Sequence, residues 1–244
     1  MIELKPIYED SDLLVFNKSA GIVVFPEGQT AVGETLIDEL LIKYPELKNA
    51  GEAPRYGMVH RLDKDTSGII LVAKTTDALL FFQKQFNPNY KENALEKKVE
   101  KRYITLVVGN VKNEESTIET LIGRAHGDKR KQRVYLAGEP GSEGKREAIT
   151  KYKVLERFKD YTLLEVKIET GRRHQIRCHL SYIHHPIAGD KMYGFKNQPL
   201  PKGLTRQFLH SAYLKIQLLN GETKEFNSEL PEELEKIINN LKRK

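Results

Sequence analysis

Period-two stretches that double back on themselves constrain this chain most. Ala148–Leu155 and Tyr161–Glu169 alternate apolar and polar side chains on either side of a turn at Lys159-Asp160. Leu209–Leu218 does the same and returns through Asn220-Gly221, a strong hairpin signal, into Thr223–Phe226. Such patterns bury one face of antiparallel strands and leave no room for helical crossovers. Leu13–Phe16 and Ile22–Phe25 read as two further strands around Lys18-Ser-Ala-Gly21, and Ile69–Ala73 and Tyr103–Val108 as buried ones. Helical spacing occurs in Gly33–Tyr44, stopped by Pro45, and after a cap at Thr75 or Thr76, where Leu79, Leu80, Phe82 and Phe86 form a stripe. Arg172–Ile183 and the segment opened by Pro231 supply two more helices. Asn87–Lys101 reads as a polar loop or frayed helix, and Gly123–Gly144 as an exposed basic loop region with a short hairpin around Val134 and Tyr135. The expectation is an α+β fold, a mainly antiparallel mixed sheet flanked by helices. No linker-like composition divides residues 1–244, so one domain, with two lobes at most, is expected.

Composition narrows the classes. At 244 residues roughly three quarters of the unfolded surface can be buried, so no staple is needed. No apolar run approaches the ~20 residues of a membrane span, and Met1-Ile-Glu-Leu-Lys5 lacks a secretory layout. The single cysteine, Cys178, permits no internal disulfide and no cysteine-based zinc site, which makes the cytoplasm the default compartment. Forty Lys and Arg against thirty-four Asp and Glu give a net charge of +6, a mild bias toward polyanions.

The chemistry concentrates in His60-Arg-Leu-Asp-Lys-Asp-Thr-Ser-Gly68, a polar loop between apolar strands. Read as residues alone, it is open to several accounts. Asp65-Thr-Ser-Gly68 is good turn chemistry, and Asp63 could simply cap backbone. The seven histidines show no metal-type pairing, Ser67 lacks the first glycine of a nucleophile elbow, and no phosphate-binding loop occurs. A lone carboxylate acting on an anionic polymer also fits the basic surroundings.

The same nine residues resemble the signature of the RluA family of RNA pseudouridine synthases. The resemblance runs over roughly residues 8–235. It includes Asn17-Lys-Ser-Ala-Gly21, with Ser19 where proline is common, and Lys101-Arg-Tyr103 through Gly109. Thr170-Gly-Arg-Arg-His-Gln-Ile-Arg-Cys-His179, Gly189-Asp-Lys-Met-Tyr-Gly194 and Leu209-His-Ser211 follow in order. What it implies is a short-form enzyme, the catalytic domain alone without a separate N-terminal RNA-binding domain, that isomerises uridines in ribosomal or transfer RNA, detaching the base, turning it and rejoining it through carbon. Neither metal nor organic cofactor is implied.

By the same resemblance Asp63 is the catalytic carboxylate, Arg177 the cation that keeps it charged, and Tyr103 the ring under the target base. Arg61 would fill the gap left by the extruded nucleotide, offsetting an unstacking cost of a few kcal/mol. The ordinary alternatives are a surface helix arginine for Arg177, a core aromatic for Tyr103 and a salt bridge to Asp65 or a nearby acid for Arg61. Lys129, Arg130, Lys131 and Arg133, with Lys97, Lys98, Lys101 and Arg102, are candidate phosphate contacts. His60 and His174 are expected to be scaffold. The expected partner is RNA, ribosomal or transfer, with no membrane involved and the protein a monomer.

Overall fold

The computed structural model describes residues 5–26, 35–87 and 99–242. The chain forms two compact units, Met1–Val99 with Tyr213–Ser228, and Glu100–Ala212 with Glu229–Lys244. The boundary crosses within one strand.

In the first unit, β1 (Pro6–Glu9), β2 (Leu13–Lys18) and β3 (Ser67–Ala73) form an antiparallel run. β3 is buried at every position, as the unbroken Ile69-Ile-Leu-Val-Ala73 segment demands. The part of β9 (Leu209–Gln217) that lies here pairs antiparallel with β10 (Thr223–Asn227). Gly221, at φ +89°, closes their loop by donating its N–H to the Leu218 carbonyl. Helix α2 (Thr76–Phe86) starts on Thr75, whose hydroxyl accepts the Ala78 N–H at 3.2 Å. Its Ala78, Leu79 and Phe82 join Leu13, Val15, Ile69, Leu71, Leu214 and Ile216 in the core.

The expected strand Ile22–Phe25 does not form. Its Val23 and Val24 carbonyls instead accept the Leu36 and Ile37 N–H groups at 2.8 and 3.0 Å. They satisfy the open first turn of α1 (Leu36–Lys43), which the Thr35–Asp38 capping box completes. A strand-like composition was thus spent on capping a helix. A 3₁₀ turn, Pro45–Asn49, follows α1.

The second unit holds β4 (Glu100–Val108), β5 (Glu115–Arg124), β6 (Gln132–Tyr135), β7 (Arg146–Arg157) and β8 (Tyr161–Ile168). Beside the remainder of β9 the order is β4-β8-β7-β5-β6, with β4–β8, β8–β7, β7–β5 and β5–β6 all antiparallel. Glu100 and Lys101 belong to β4 rather than to a loop, and residues 88–98 of that expected loop lie outside the described ones. β7 runs past Leu155 because the register shifts between Val154 and Glu156; the exposed Leu155 interrupts the alternation there.

β5 is the element the sequence did not announce. Only Ile118 and Ile122 of its side chains are buried apolar ones, and the intervening inward position is Thr120. Gly123 and Arg124 therefore close a strand rather than open a loop, while the hairpin around Val134 and Tyr135 pairs Leu121 with Tyr135 and Ile122 with Val134. Helix α3 (Gln175–Tyr182) packs Cys178 on Ile122, Val134 and Ala148. Helix α4 (Glu232–Asn239) begins with three acidic residues in its first turn, favourable at the positive helix end.

Candidate active site

In the first unit, residues 60–66 lead into β3 and carry Asp63, half-buried, behind a buried Leu62. Several bonds fix this loop. Lys18, only 3% exposed, donates from Nζ to the Ser19, Ile22 and Lys64 carbonyls at 2.9, 3.0 and 3.1 Å. Gly21, whose φ of +86° suits glycine, donates its N–H to the same Lys64 carbonyl. The Thr66 N–H closes a turn on the Asp63 carbonyl at 3.1 Å. The Lys18-to-Gly21 turn is therefore the strap that holds the carboxylate loop, a buried ammonium compensated by backbone oxygens.

His60 braces the backbone of β3. Its Nε2 accepts the Leu71 N–H at 3.1 Å, which places any single ring proton on Nδ1, and its ring stacks on Phe86 at 4.7 Å. Arg61 lies with its guanidinium carbon 5.1 Å from the centroid of the Phe25 ring, which Arg55 also faces at 5.0 Å.

In the second unit, Tyr103 sits on β4 opposite Val166, 7% exposed. Arg177 is on α3, buried, and makes a bidentate pair with Asp190: Nε to Oδ2 at 2.7 Å and Nη2 to Oδ1 at 2.9 Å. Asp190 Oδ1 also accepts the Met192 and Tyr193 N–H groups. Burial opposes the Asp190 charge, but the guanidinium and the two N–H groups outweigh it and hold its pKa below the ordinary carboxylate value. A guanidinium has five N–H donors, so this pair does not exhaust Arg177.

The ring of Tyr193 lies 5.1 Å from the Arg177 guanidinium carbon, and its hydroxyl meets the Gln132 N–H and His174 Nδ1. His174 is the N-cap of α3, in the left-handed region at φ +53°. Beneath it, Gln175 fills all its amide valences: Oε1 accepts from the Thr170 hydroxyl and the Arg172 N–H, and Nε2 donates to the Ile149 carbonyl and the Thr150 hydroxyl. His179 bridges Thr120 and Thr150, and burial drops its pKa to about 4, so it is neutral at pH 7. Burial also pushes the Cys178 thiol up to about 12, which makes it inert.

Sequence reasoning assigned no role to Asp190 or Tyr193, although it singled out Gly189 to Gly194. The glycines were the signal. Gly189 has φ +77° and a Cβ there would strike the Arg206 carbonyl, while one on Gly194 would strike the Asp190 carbonyl. Both permit a tight loop that drops Asp190 onto Arg177.

Of the basic candidates, Arg130 is chelated by Asp128 at 3.0 and 2.8 Å and Arg133 is paired with Glu139 at 3.1 Å. Lys129 is exposed and Lys131 partly so. Arg102 is paired with Glu100, which also takes Lys167, and Lys101 is buried; Lys97 and Lys98 lie outside the described residues. Among the described residues no group of three or more His, Cys, Asp or Glu side chains could hold a metal ion.

A family model for RNA pseudouridylate synthases matches residues 12–182, a span containing Asp63, Tyr103 and Arg177. The chain belongs to this family. It is an RNA pseudouridine synthase, an isomerase. A relative in Yersinia pestis, a ribosomal large subunit pseudouridine synthase D, is 34% identical over 99% of the chain and 71% of its own length. An uncharacterized RNA pseudouridine synthase of Bacillus subtilis is 37% identical over 99% and 74%. The solved structure of human RNA pseudouridylate synthase domain containing 1 superposes with a TM-score of 0.71 at 27% identity, over 94% of this synthase and 84% of that chain. No helix among the described residues of the synthase is long and apolar enough to cross a membrane.

Proposed function

We propose that the synthase isomerises specific uridines of ribosomal or transfer RNA, with Asp63 as the catalytic carboxylate. The bond from sugar C1′ to base N1 breaks, a bond from C1′ to C5 forms, and the C5 proton is lost while N1 regains one. Tyr103 and Arg177 are the other proposed catalytic residues, and Arg61 is the side chain that fills the vacated stack. The observation that carries this reading is the strap of Lys18 and Gly21 on Lys64, which anchors the loop that bears the half-buried Asp63. A preorganised acid of this kind suits chemistry better than capping does. Arg61 resting on Phe25 by a face-on contact supports a guanidinium able to exchange one flat partner for another.

The names of the relatives favour ribosomal RNA of the large subunit as the target class. Lys129 and Lys131, with Arg130 and Arg133 partly neutralised by their acids, are the proposed phosphate contacts of the β5–β6 hairpin. A monomer acting in the cytoplasm completes the reading, in keeping with a single cysteine. Pseudouridine mapping of total RNA from cells with and without the gene tests it. A site that disappears on deletion and returns with the wild-type gene but not with Asp63→Asn supports the assignment; restoration by that variant overturns it.

A further inference from the structure

Two arginines that none of the proposed roles uses meet where the sheet of the second unit gives way to α3. Along β7 the inward positions are Ala148, Thr150, Tyr152 and Val154, so Arg146 stands on the same face, directly opposite Ile122. That is the face against which α3 packs. Arg172, three residues before α3, donates from Nε to the Glu147 carbonyl at 2.8 Å, which anchors its guanidinium one residue along β7 from Arg146.

Among the described residues neither arginine has an ion pair, in contrast to Arg130 and Arg133 on the hairpin. Burial and the charge of Arg146 both push the Arg172 pKa down, against a smaller opposing pull from Glu147. This is like-charge crowding, the condition an anion relieves. Two further features lower the cost of a negative charge there. The first turn of α3 contains no acidic residue and its N-cap, His174, makes no side-chain cap bond. Lys101 Nζ lies 3.7 Å from where a Cβ on Gly171 would stand, so a third cation borders the same turn.

We infer that Arg146 and Arg172 form a clamp for one phosphate of the RNA backbone. The inference deepens the RNA reading and rests on it; it names the contact that holds the strand in register beside α3. One guanidinium is fixed by the Glu147 carbonyl, and the other stands exposed on the strand. The pair thus combines a preorganised donor with an adaptable one, and planar guanidinium forks suit phosphate oxygens.

Binding is measured by fluorescence anisotropy with fluorescein-labelled fragments of ribosomal RNA, across a potassium chloride series, in the Asp63→Asn background so that turnover does not intervene. Arg146→Gln and Arg172→Gln should each weaken binding about five- to tenfold near 0.1 M salt and reduce the slope of log affinity against log salt by about one. Because one phosphate is shared, the double variant should match either single one within about twofold. Lys236→Gln on α4 should change neither quantity. An unchanged slope in Arg146→Gln, which removes no hydrogen bond from the fold, overturns the clamp, and so does an additive loss of two contacts in the double variant. Either result, with wild-type salt-dependent binding intact, leaves the role of Asp63 standing; absence of any RNA binding by the parent protein sinks both.

Discussion

Two aspartates, Asp63 and Asp190, occupy comparable loops and are held in opposite ways. Asp190 is 2% exposed, and its oxygens are taken up by the Arg177 guanidinium and by two backbone N–H groups. Asp63 is half-exposed, and the backbone of its loop is held at the Lys64 carbonyl by Lys18 and Gly21 and at its own carbonyl by Thr66. A carboxylate whose hydrogen-bonding capacity is filled by the protein is a structural member. A half-exposed carboxylate on a locked loop can meet a substrate. The bidentate geometry that looks most like an active-site pair thus belongs to the scaffold of Arg177.

The largest expected effect breaks or confirms this contrast at Asp63. Asp63→Asn should lower pseudouridine formation by at least about a thousandfold, with a melting temperature within about 2 °C of the parent. A comparable loss of stability instead would make Asp63 structural. Asp190→Ala should do the reverse in emphasis. Depriving a buried guanidinium of its carboxylate costs about 3–5 kcal/mol, or roughly 6–20 °C in a chain of this size at about 2–4 °C per kcal/mol, read by calorimetry.

The third test uses pH. His179 titrates near 4 in the folded protein against an ordinary 6.5, so between those values the unfolded chain binds the proton first. Stability should therefore be full above about pH 7 and fall as pH drops toward 4, by an amount on the order of 2–3 kcal/mol. Denaturant midpoints for the parent and for His179→Gln should converge as pH falls through that window. The Asp190 contribution has a separate signature: with its pKa depressed, it is present above the ordinary carboxylate pKa, about 4, and is lost only below it. The smallest effect concerns the strap. Lys18→Met takes the ammonium away from three part-buried carbonyls, a cost of about 1–3 kcal/mol. It should also lower kcat more than it raises KM; an unchanged kcat would show that the loop holds its shape without Lys18.

Where burial and side-chain period coincide, the elements could be read directly. β3, β8, β9 with its Asn220-Gly221 return, and α2 with its Thr75 cap stand where the apolar spacing puts them. β5 was hidden because its inward Thr120 is satisfied by His179, a partner 59 positions away. Ile22–Phe25 misled for the converse reason, since its carbonyls found helix N–H groups instead of a neighbouring strand. The carboxylate loop and the arginine of α3 stood out as motifs, but the Arg177–Asp190 pair did not, because a charged pair thirteen positions apart has no periodic trace.

Residue order alone determined the class of the fold, the family and the chemically dense loop, because these depend on local period, turn residues and a contiguous motif. Tertiary structure decided which charges are spent inside the protein. Arg130, Arg133 and Arg102 turned out to be paired, whereas Arg146 and Arg172, which repel each other, have no ion pair among the described residues. Electrostatic energy depends on distance and burial rather than on sequence separation, so which cation is committed could be learned only once the chain had folded.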